Sequence, residues 1–232
     1  MTEELDAIVF DVGGTLLDMV PTRAEVFASV LLAKGFRVDP TSLGKAIRKA
    51  DRTLDEEFAE LEGGDDSAFW KRFDRLVLEE IGFVGDLDRM HHALIDEFNG
   101  IVPKVETWVD YPETRGVLQD LRKRGFTLGV ISNATNLVKR VLDNLDLSKN
   151  FEFVIVSDEV GMNKPSAKIF MMAADKARTS PNRMLFIGDK LSTDVKGAVG
   201  AGMNALLVDR ADTYPDADCI RIRDLNSLRL FL

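Results

Sequence analysis

The feature that most constrains this chain is a set of short apolar runs, each ended by turn-forming or charged residues. Ala7–Phe10, Thr127–Ile131, Phe153–Val156 and Met184–Ile187 are four of them, and Ala205–Val208 follows at short range. Runs this short, apolar throughout and bounded by turn or charge signals, read as strands buried on both faces. Between them the spacing becomes helical. Thr114–Lys123 places Val117, Leu118 and Leu121 on one face, and Leu137–Leu145 does the same with Val138, Val141, Leu142 and Leu145. Ala167–Ala177 and Asp194–Ala201 complete the series. Buried strands alternating with helices predict an α/β fold of three layers, a parallel sheet between two layers of helices. Ligands of such sheets bind outside the carboxyl ends of the strands.

One segment breaks the alternation. From about Thr22 to about Ile101 the apolar spacing is helical only: Val26, Val30, Leu31; then Ile47, Leu54, Phe58, Leu61; then Phe69, Phe73, Leu76, Val77. Gly63-Gly64-Asp65-Asp66-Ser67 reads as a turn between two of these helices. The expectation is a core made of residues 1–19 and 102–232, with an all-helical lobe of residues 20–101 inserted after the first strand. A chain of 232 residues can bury one sizeable core and such an insertion.

A formal net charge of −9 argues against a nucleic-acid or anionic-membrane surface, since both require a basic face. It leaves room for a phosphorylated substrate in a locally cationic pocket. Cys219 is the single cysteine, so no intramolecular disulfide can form, which suits a reducing compartment. MTEELDAIVF lacks the basic region of a signal peptide, and no stretch approaches the length of a membrane span. The expected setting is cytoplasmic.

The chemistry-bearing residues stand at the strand ends. Asp11 with Gly13-Gly14-Thr15 follows the first run, and Ser132-Asn133 the second. Asn163-Lys164-Pro165 lies in the loop after the third, and Gly188-Asp189 follows the fourth, with Asp194 five residues on. A parallel sheet would gather a carboxylate, a hydroxyl, an ammonium and a second acidic pair in one crevice. Taken singly, each has a plainer reading: Ser-Asn as a turn or helix cap, Lys-Pro as a solvent-facing loop, Asp194 as the cap of its helix.

This ordered set resembles the haloacid dehalogenase superfamily, in the branch with a helical cap inserted between the first and second motifs, over about Asp6 to Val208. The resemblance implies a Rossmann-like core and a phosphatase chemistry. Asp11 would be the nucleophile, forming an aspartyl-phosphate. Mg2+ would be held by Asp11, the backbone carbonyl of Gly13 and Asp189, relieving the repulsion between carboxylate and phosphate. Thr15, Ser132, Lys164 and the Asn133 backbone would bind the phosphate, and Asp194 would orient the metal shell or Lys164. The implied partner is a small phosphorylated metabolite, with neither nucleic acid nor membrane, and the protein is expected as a monomer or homodimer.

The sequence departs from the family pattern at Gly13, where most of the phosphatases carry an aspartate that protonates the leaving alkoxide. A general acid is typically worth ~10² to 10⁴ in rate. Three readings follow: a phosphatase for good leaving groups, one that borrows an acid from the cap or the substrate, or a phosphate-binding pseudoenzyme. A metal-independent 2-haloacid dehalogenase is the alternative enzyme, and retention of Asp189 counts against it. Other patterns are set aside. GAVGAG at 197–202 reads as close packing or a helix end, and Asn133-Ala134-Thr135 lacks a secretory context for glycosylation. His91-His92 reads as a solvated pair, Trp70 and Trp108 as packing residues, and Asp18 as part of the turn into the cap.

Overall fold

The computed structural model describes residues 5–60 and 66–232. In chain order the strands and helices are β1 (Ala7–Phe10), β2 (Leu17–Met19), α1 (Arg23–Ala33), α2 (Pro40–Thr53), α3 (Asp55–Ala59), α4 (Ser67–Glu80) and α5 (Leu87–Ile101). Then follow β3 (Trp108–Asp110), α6 (Thr114–Lys123), β4 (Thr127–Ser132), α7 (Leu137–Asn144), β5 (Phe153–Val156), α8 (Ser157–Val160) and α9 (Ala167–Ala177). The chain ends with β6 (Met184–Gly188), a π-helical turn at Leu191–Lys196, α10 (Gly197–Gly200), β7 (Asn204–Val208) and β8 (Arg221–Ile222). The turn expected at Gly63–Asp65 and the apolar position Leu61 lie outside the described residues, whereas Asp66 and Ser67 open α4.

Six strands form one parallel sheet in the order β5-β4-β1-β6-β7-β8. Side chains alternate between its faces with period two. Ile8, Phe10, Leu128, Val130, Leu185 and Ile187 point to one side, where α6 and α7 supply Leu118, Leu121, Val141 and Leu142. Ala7, Val9, Ile131, Met184 and Phe186 point to the other, where α9 and α10 supply Ile169, Phe170, Ala173 and Ala198. Burying such a side chain contributes roughly 1.5–3 kcal/mol against leaving it exposed, so both helical layers are held by the central strands. The chain runs outward from β1 to β4 and β5, then returns to the opposite side of β1 for β6. That reversal puts the carboxyl end of β1 at the switch point of the sheet, where a crevice opens.

The strand runs expected from the sequence match β1, β4, β5, β6 and β7. Three strands were not legible. β2 pairs antiparallel with β3 through Leu17↔Asp110 and Met19↔Trp108, and β8 adds an edge of two residues to β7. The helix expected at Asp194–Ala201 begins earlier, with a widened turn at Leu191 that becomes α-helical only at Gly197.

Among the described residues between β2 and β3 there are five α-helices, a short 3-10 turn at Val105–Thr107 and no strand. Thr22 opens α1 with a reciprocal capping pair: its hydroxyl accepts from the Glu25 amide, and the Glu25 carboxylate accepts from the Thr22 amide. Asp39 caps α2 ahead of Pro40, and Asp86 caps α5. These helices bury a core of their own, built on Phe27, Leu31, Leu43, Leu54, Phe73, Leu78 and Leu94.

Candidate active site

Asp11 stands at the end of β1 and Ser132 at the end of β4. Asp189 directly follows β6, and Asp194 sits in the π-helical turn beyond it. The Nζ of Lys164 lies 2.6 Å from Asp11 Oδ1 and 2.7 Å from Asp194 Oδ1, and the lysine is only 3% exposed. Its loop is fixed by Asn133, whose side-chain amide donates to the Lys164 carbonyl and accepts from the Lys164 amide, each at 2.8 Å. Asn133 therefore acts here through its side chain, on the loop that carries the lysine. Asp194 is used on both oxygens: Oδ2 accepts from the Lys190 amide at 3.0 Å, and Oδ1 faces Lys164 at ion-pair distance without hydrogen-bond geometry. It does more than cap a helix.

One oxygen from each of Asp11, Asp189 and Asp194 lies within 4.8 Å of the other two. Three hard oxygen donors at that spacing fit a small divalent cation. The electrostatics agree. Burial raises the Asp11 carboxyl to about 6 against the pull of Lys164, and Asp194 adds to the rise. Burial also pushes Asp189 well above the usual carboxylate range, with Asp11 and Asp194 reinforcing the effect. Burial opposes the charge of Lys164, but Asp11 and Asp194 outweigh it and hold the ammonium above the ordinary lysine value. Crowded anions with one buried cation are the environment that a bound cation would relieve.

Two glycines make this crowding possible. Gly14 has φ +75°, and a Cβ there would meet Asp189 Oδ2 at 2.5 Å. A Cβ on Gly188 would overlap the Asp194 carboxylate. The loop after β1 is braced from behind by Arg210, which donates to the carbonyls of Gly14 (3.2 Å) and Thr15 (2.8 Å). Arg210 is itself held by Glu113 at 2.7 Å and lies 3.5 Å from the Tyr111 ring centroid.

A cleft of about 600 Å³ opens over these groups. Asp11, Gly13, Ser132, Asn133, Lys164, Asp189 and Asp194 all line it. Thr15 does not: it is fully buried, and its hydroxyl has no partner. The opposite wall comes largely from the helical lobe, with Arg23, Ile47, Asp51, Phe58 and Trp70, and from Val102 and Trp108 at the second crossing. Trp70 and Trp108, read from the sequence as packing residues, therefore also face the cleft. Asp18 lines it as well, from within β2 rather than from a turn. His91 is not solvated: its Nδ1 lies 2.7 Å from the buried Asp74, and His92 bonds the Asp88 carbonyl. Neither histidine lines the cleft.

The lobe is latched to the core beside the acidic cluster. Lys190 pairs with Asp51 at 2.8 Å, and Lys196 pairs with Glu56 at 2.8 Å. Asp55, only 6% exposed, accepts from the Ser192 amide (2.9 Å), from the Ser192 hydroxyl and from the Tyr214 hydroxyl (2.8 Å). No sequence signal marked these residues. Asp51 and Lys190 are 139 positions apart, and helical spacing identifies which residues are apolar, not which acid meets which base.

The order of the motifs and their convergence at the switch point agree with a match of residues 5–202 to the model of the haloacid dehalogenase-like hydrolases. The chain belongs to that family. It is 33% identical to a phosphoserine phosphatase of Thermus thermophilus over 180 residues, 70% of this chain and 72% of the relative. A solved 2-haloacid dehalogenase of Pseudomonas syringae superposes with a TM-score of 0.58 at 27% identity, covering 97% of each chain. The HAD hydrolase YfnB of Bacillus subtilis, solved with magnesium bound and with interdomain movement described, superposes with a TM-score of 0.68 at 21% identity over 99% of each chain. No helix among the described residues is long and apolar enough to cross a membrane.

Proposed function

We propose that this hydrolase cleaves a small phosphate monoester through an aspartyl-phosphate on Asp11, with Mg2+ as its metal. Residues 20–101 would serve as the cap over a core of residues 1–19 and 102–232. The observation that carries the reading is the joint placement of Asp11, Asp189, Asp194 and Lys164 at the switch point. Attack on the carbon of a 2-haloacid has no need of a metal. Three acids within metal-sharing distance are instead suited to phosphoryl transfer, where charge is the main obstacle. Phosphatases among the relatives support the same direction.

Asp11, Asp189 and the Gly13 carbonyl would hold the metal, which supplies charge neutralisation at the phosphate oxygens. An Asp11 carboxylate oxygen attacks phosphorus, and the bond from phosphorus to the ester oxygen breaks. Lys164, fixed by Asn133 and Asp194, offers its ammonium to the phosphoryl oxygens, and Ser132 offers its hydroxyl. The leaving oxygen departs as an anion and takes its proton from solvent, because Gly13 has no proton to give. Water then attacks phosphorus, releasing phosphate and restoring the Asp11 carboxylate. Leaving groups that are stable as anions, such as aryl or acyl oxygens, suit a site built this way.

The absence of an acid at Gly13 is also what a dehalogenase would show, which makes that the second reading. Turnover of p-nitrophenyl phosphate that is lost with EDTA and restored by Mg2+ is expected. Metal-independent halide release from a 2-haloacid, without phosphate ester turnover, would overturn the proposal.

A further inference from the structure

The lobe side of the cleft holds a cation with no anionic partner. Arg23, the first residue of α1, lines the same cleft as Asp11. Its guanidinium carbon lies 4.9 Å from the Trp70 ring centroid and 4.9 Å from that of Phe73, both on α4. These aromatic contacts orient the guanidinium without using its N–H groups on an acceptor. Among the described residues Arg23 has no hydrogen bond and no carboxylate at ion-pair distance. The two acids whose charge it influences are Asp51 and Asp74. Asp51 is already taken by Lys190, and Asp74 by His91.

The other two lysine or arginine side chains lining the cleft are both neutralised in place, Lys164 by Asp11 and Asp194, and Lys190 by Asp51. Arg23 is the exception. A guanidinium presents a planar fork of five donors, matched to the paired oxygens of a carboxylate or phosphate. Leaving such a fork half-buried and unpaired is costly unless a ligand completes it. The same cleft is lined by the apolar and aromatic Ile47, Phe58, Trp70, Val102 and Trp108, beside Asp18 and the Lys190-paired Asp51. A ligand group reaching Arg23 would therefore pass along an apolar wall and end in a negative charge.

We propose that Arg23 is the specificity-determining residue of this enzyme, receiving a second oxyanion, separate from the scissile phosphate, on the leaving group of the substrate. This rests on the phosphatase reading above and narrows it to phosphate monoesters whose leaving group carries a carboxylate or another phosphate at the end of an apolar body. Lys164 and the metal ligands serve the scissile phosphate, and Arg23 reads the far end. Binding energy from that distant group would help to position the reacting phosphorus.

The test compares three aryl phosphates with Mg2+: 4-(carboxymethyl)phenyl phosphate, its methyl ester and 1,4-phenylene bisphosphate. The methylene insulates the ring from the carboxyl, so the acid and its ester have phenols of nearly equal basicity and differ in the anionic end. The wild-type enzyme should prefer the acid to the ester in kcat/KM by about 10- to 100-fold, the range expected for a charge-assisted bidentate pair. The bisphosphate arm tells whether carboxylate or phosphate is the better terminal group. Arg23→Met keeps the stem that packs on Trp70 and should bring the acid-to-ester ratio close to one. Arg23→Lys keeps the charge without the fork and should retain part of the preference. Ester turnover within each variant reports that it is folded, so the ratio is read on active protein. If wild type turns over all three esters without preference, or if Arg23→Met keeps the full ratio, the assignment of Arg23 is wrong. If wild type turns over none of them, the phosphatase reading itself fails.

Discussion

The two walls of the cleft are built on opposite principles. On the core wall the charges are locked in place: Lys164 bridges Asp11 and Asp194, Asn133 pins the lysine loop, and Arg210 braces the turn after Asp11. On the lobe wall most of the surface is apolar or aromatic, and its one arginine is oriented by rings rather than by acids. The core wall is a fixed charge array, suited to one chemical step. The lobe wall is a shaped surface with a single open donor group, suited to selection among molecules that share the step. Removing a charge from the core wall should therefore lower the rate for all substrates alike, whereas changes to the lobe wall should alter their ranking.

The most severe break of that contrast is Asp11→Asn, expected to lower aryl phosphate turnover on the order of 10⁴-fold or more whatever the leaving group. Steady-state assays on p-nitrophenyl phosphate check it, and excess Mg2+ should give no recovery. Asp189→Asn should also lose turnover, but raised Mg2+ should restore part of it, because this change weakens the site for the ion and leaves the nucleophile. Full activity in either variant would remove the core wall from the chemistry.

Gly13→Asp sharpens the comparison from the other direction. The backbone at Gly13 is not left-handed, and a Cβ there meets only Trp108 Cζ3, at 3.8 Å. The carboxyl can thus be added without backbone strain. Alkyl phosphates should gain up to ~10²-fold and aryl phosphates much less, read from a series of esters of graded leaving-group pKa. An unchanged slope with leaving-group basicity would show that another group already supplies the proton; Asp18 is then the first to replace, since it lines the cleft.

The seam between the walls gives a smaller effect. Asp55→Ala would strip the Ser192 amide and hydroxyl and the Tyr214 hydroxyl of their acceptor. A loss of about 3 kcal/mol in unfolding free energy is expected, measured by urea titration, with faster hydrogen exchange at Ser192. The smallest effect lies inside the lobe. Burial raises the Asp74 carboxyl to about 6, despite its bond to His91. A raised carboxyl favours the protonated form in the folded state. Its contribution is therefore fully present below the unfolded value near 4 and is lost as pH rises through about 6. Asp74→Asn should remove about 2 kcal/mol of that decline, seen as a flatter curve of stability against pH between 4 and 7.

Legibility in the sequence followed the same division. Asp11, Ser132, Lys164 and Asp189 could be placed because each terminates or follows a buried run, and a parallel sheet leaves little choice about where strand ends converge. α6 and α9 keep the bounds their periodicity suggested. β2 and β3 escaped because three residues with a polar or exposed centre carry no period, and they exist only by pairing with each other across the lobe. The π-helical turn escaped because Leu191–Lys196 has the composition of any helix start. His91 was misread because a buried carboxylate 17 positions away is invisible to local pattern. Thr15 was expected at the phosphate, yet the loop turns its hydroxyl inward.

The tight approach of Gly14 to Asp189 and of Gly188 to Asp194 also bears on how such a site can change over generations. One added carbon at either glycine would stand where a carboxylate oxygen now lies. Each glycine is thus bound to the acid it faces and cannot gain a side chain while that acid stays. The open position beside them, Gly13, carries no such debt. Lineages descended from a chain like this one could gain or lose an acid at 13 in a single substitution, while 14 and 188 stay closed to variation as long as the acids remain.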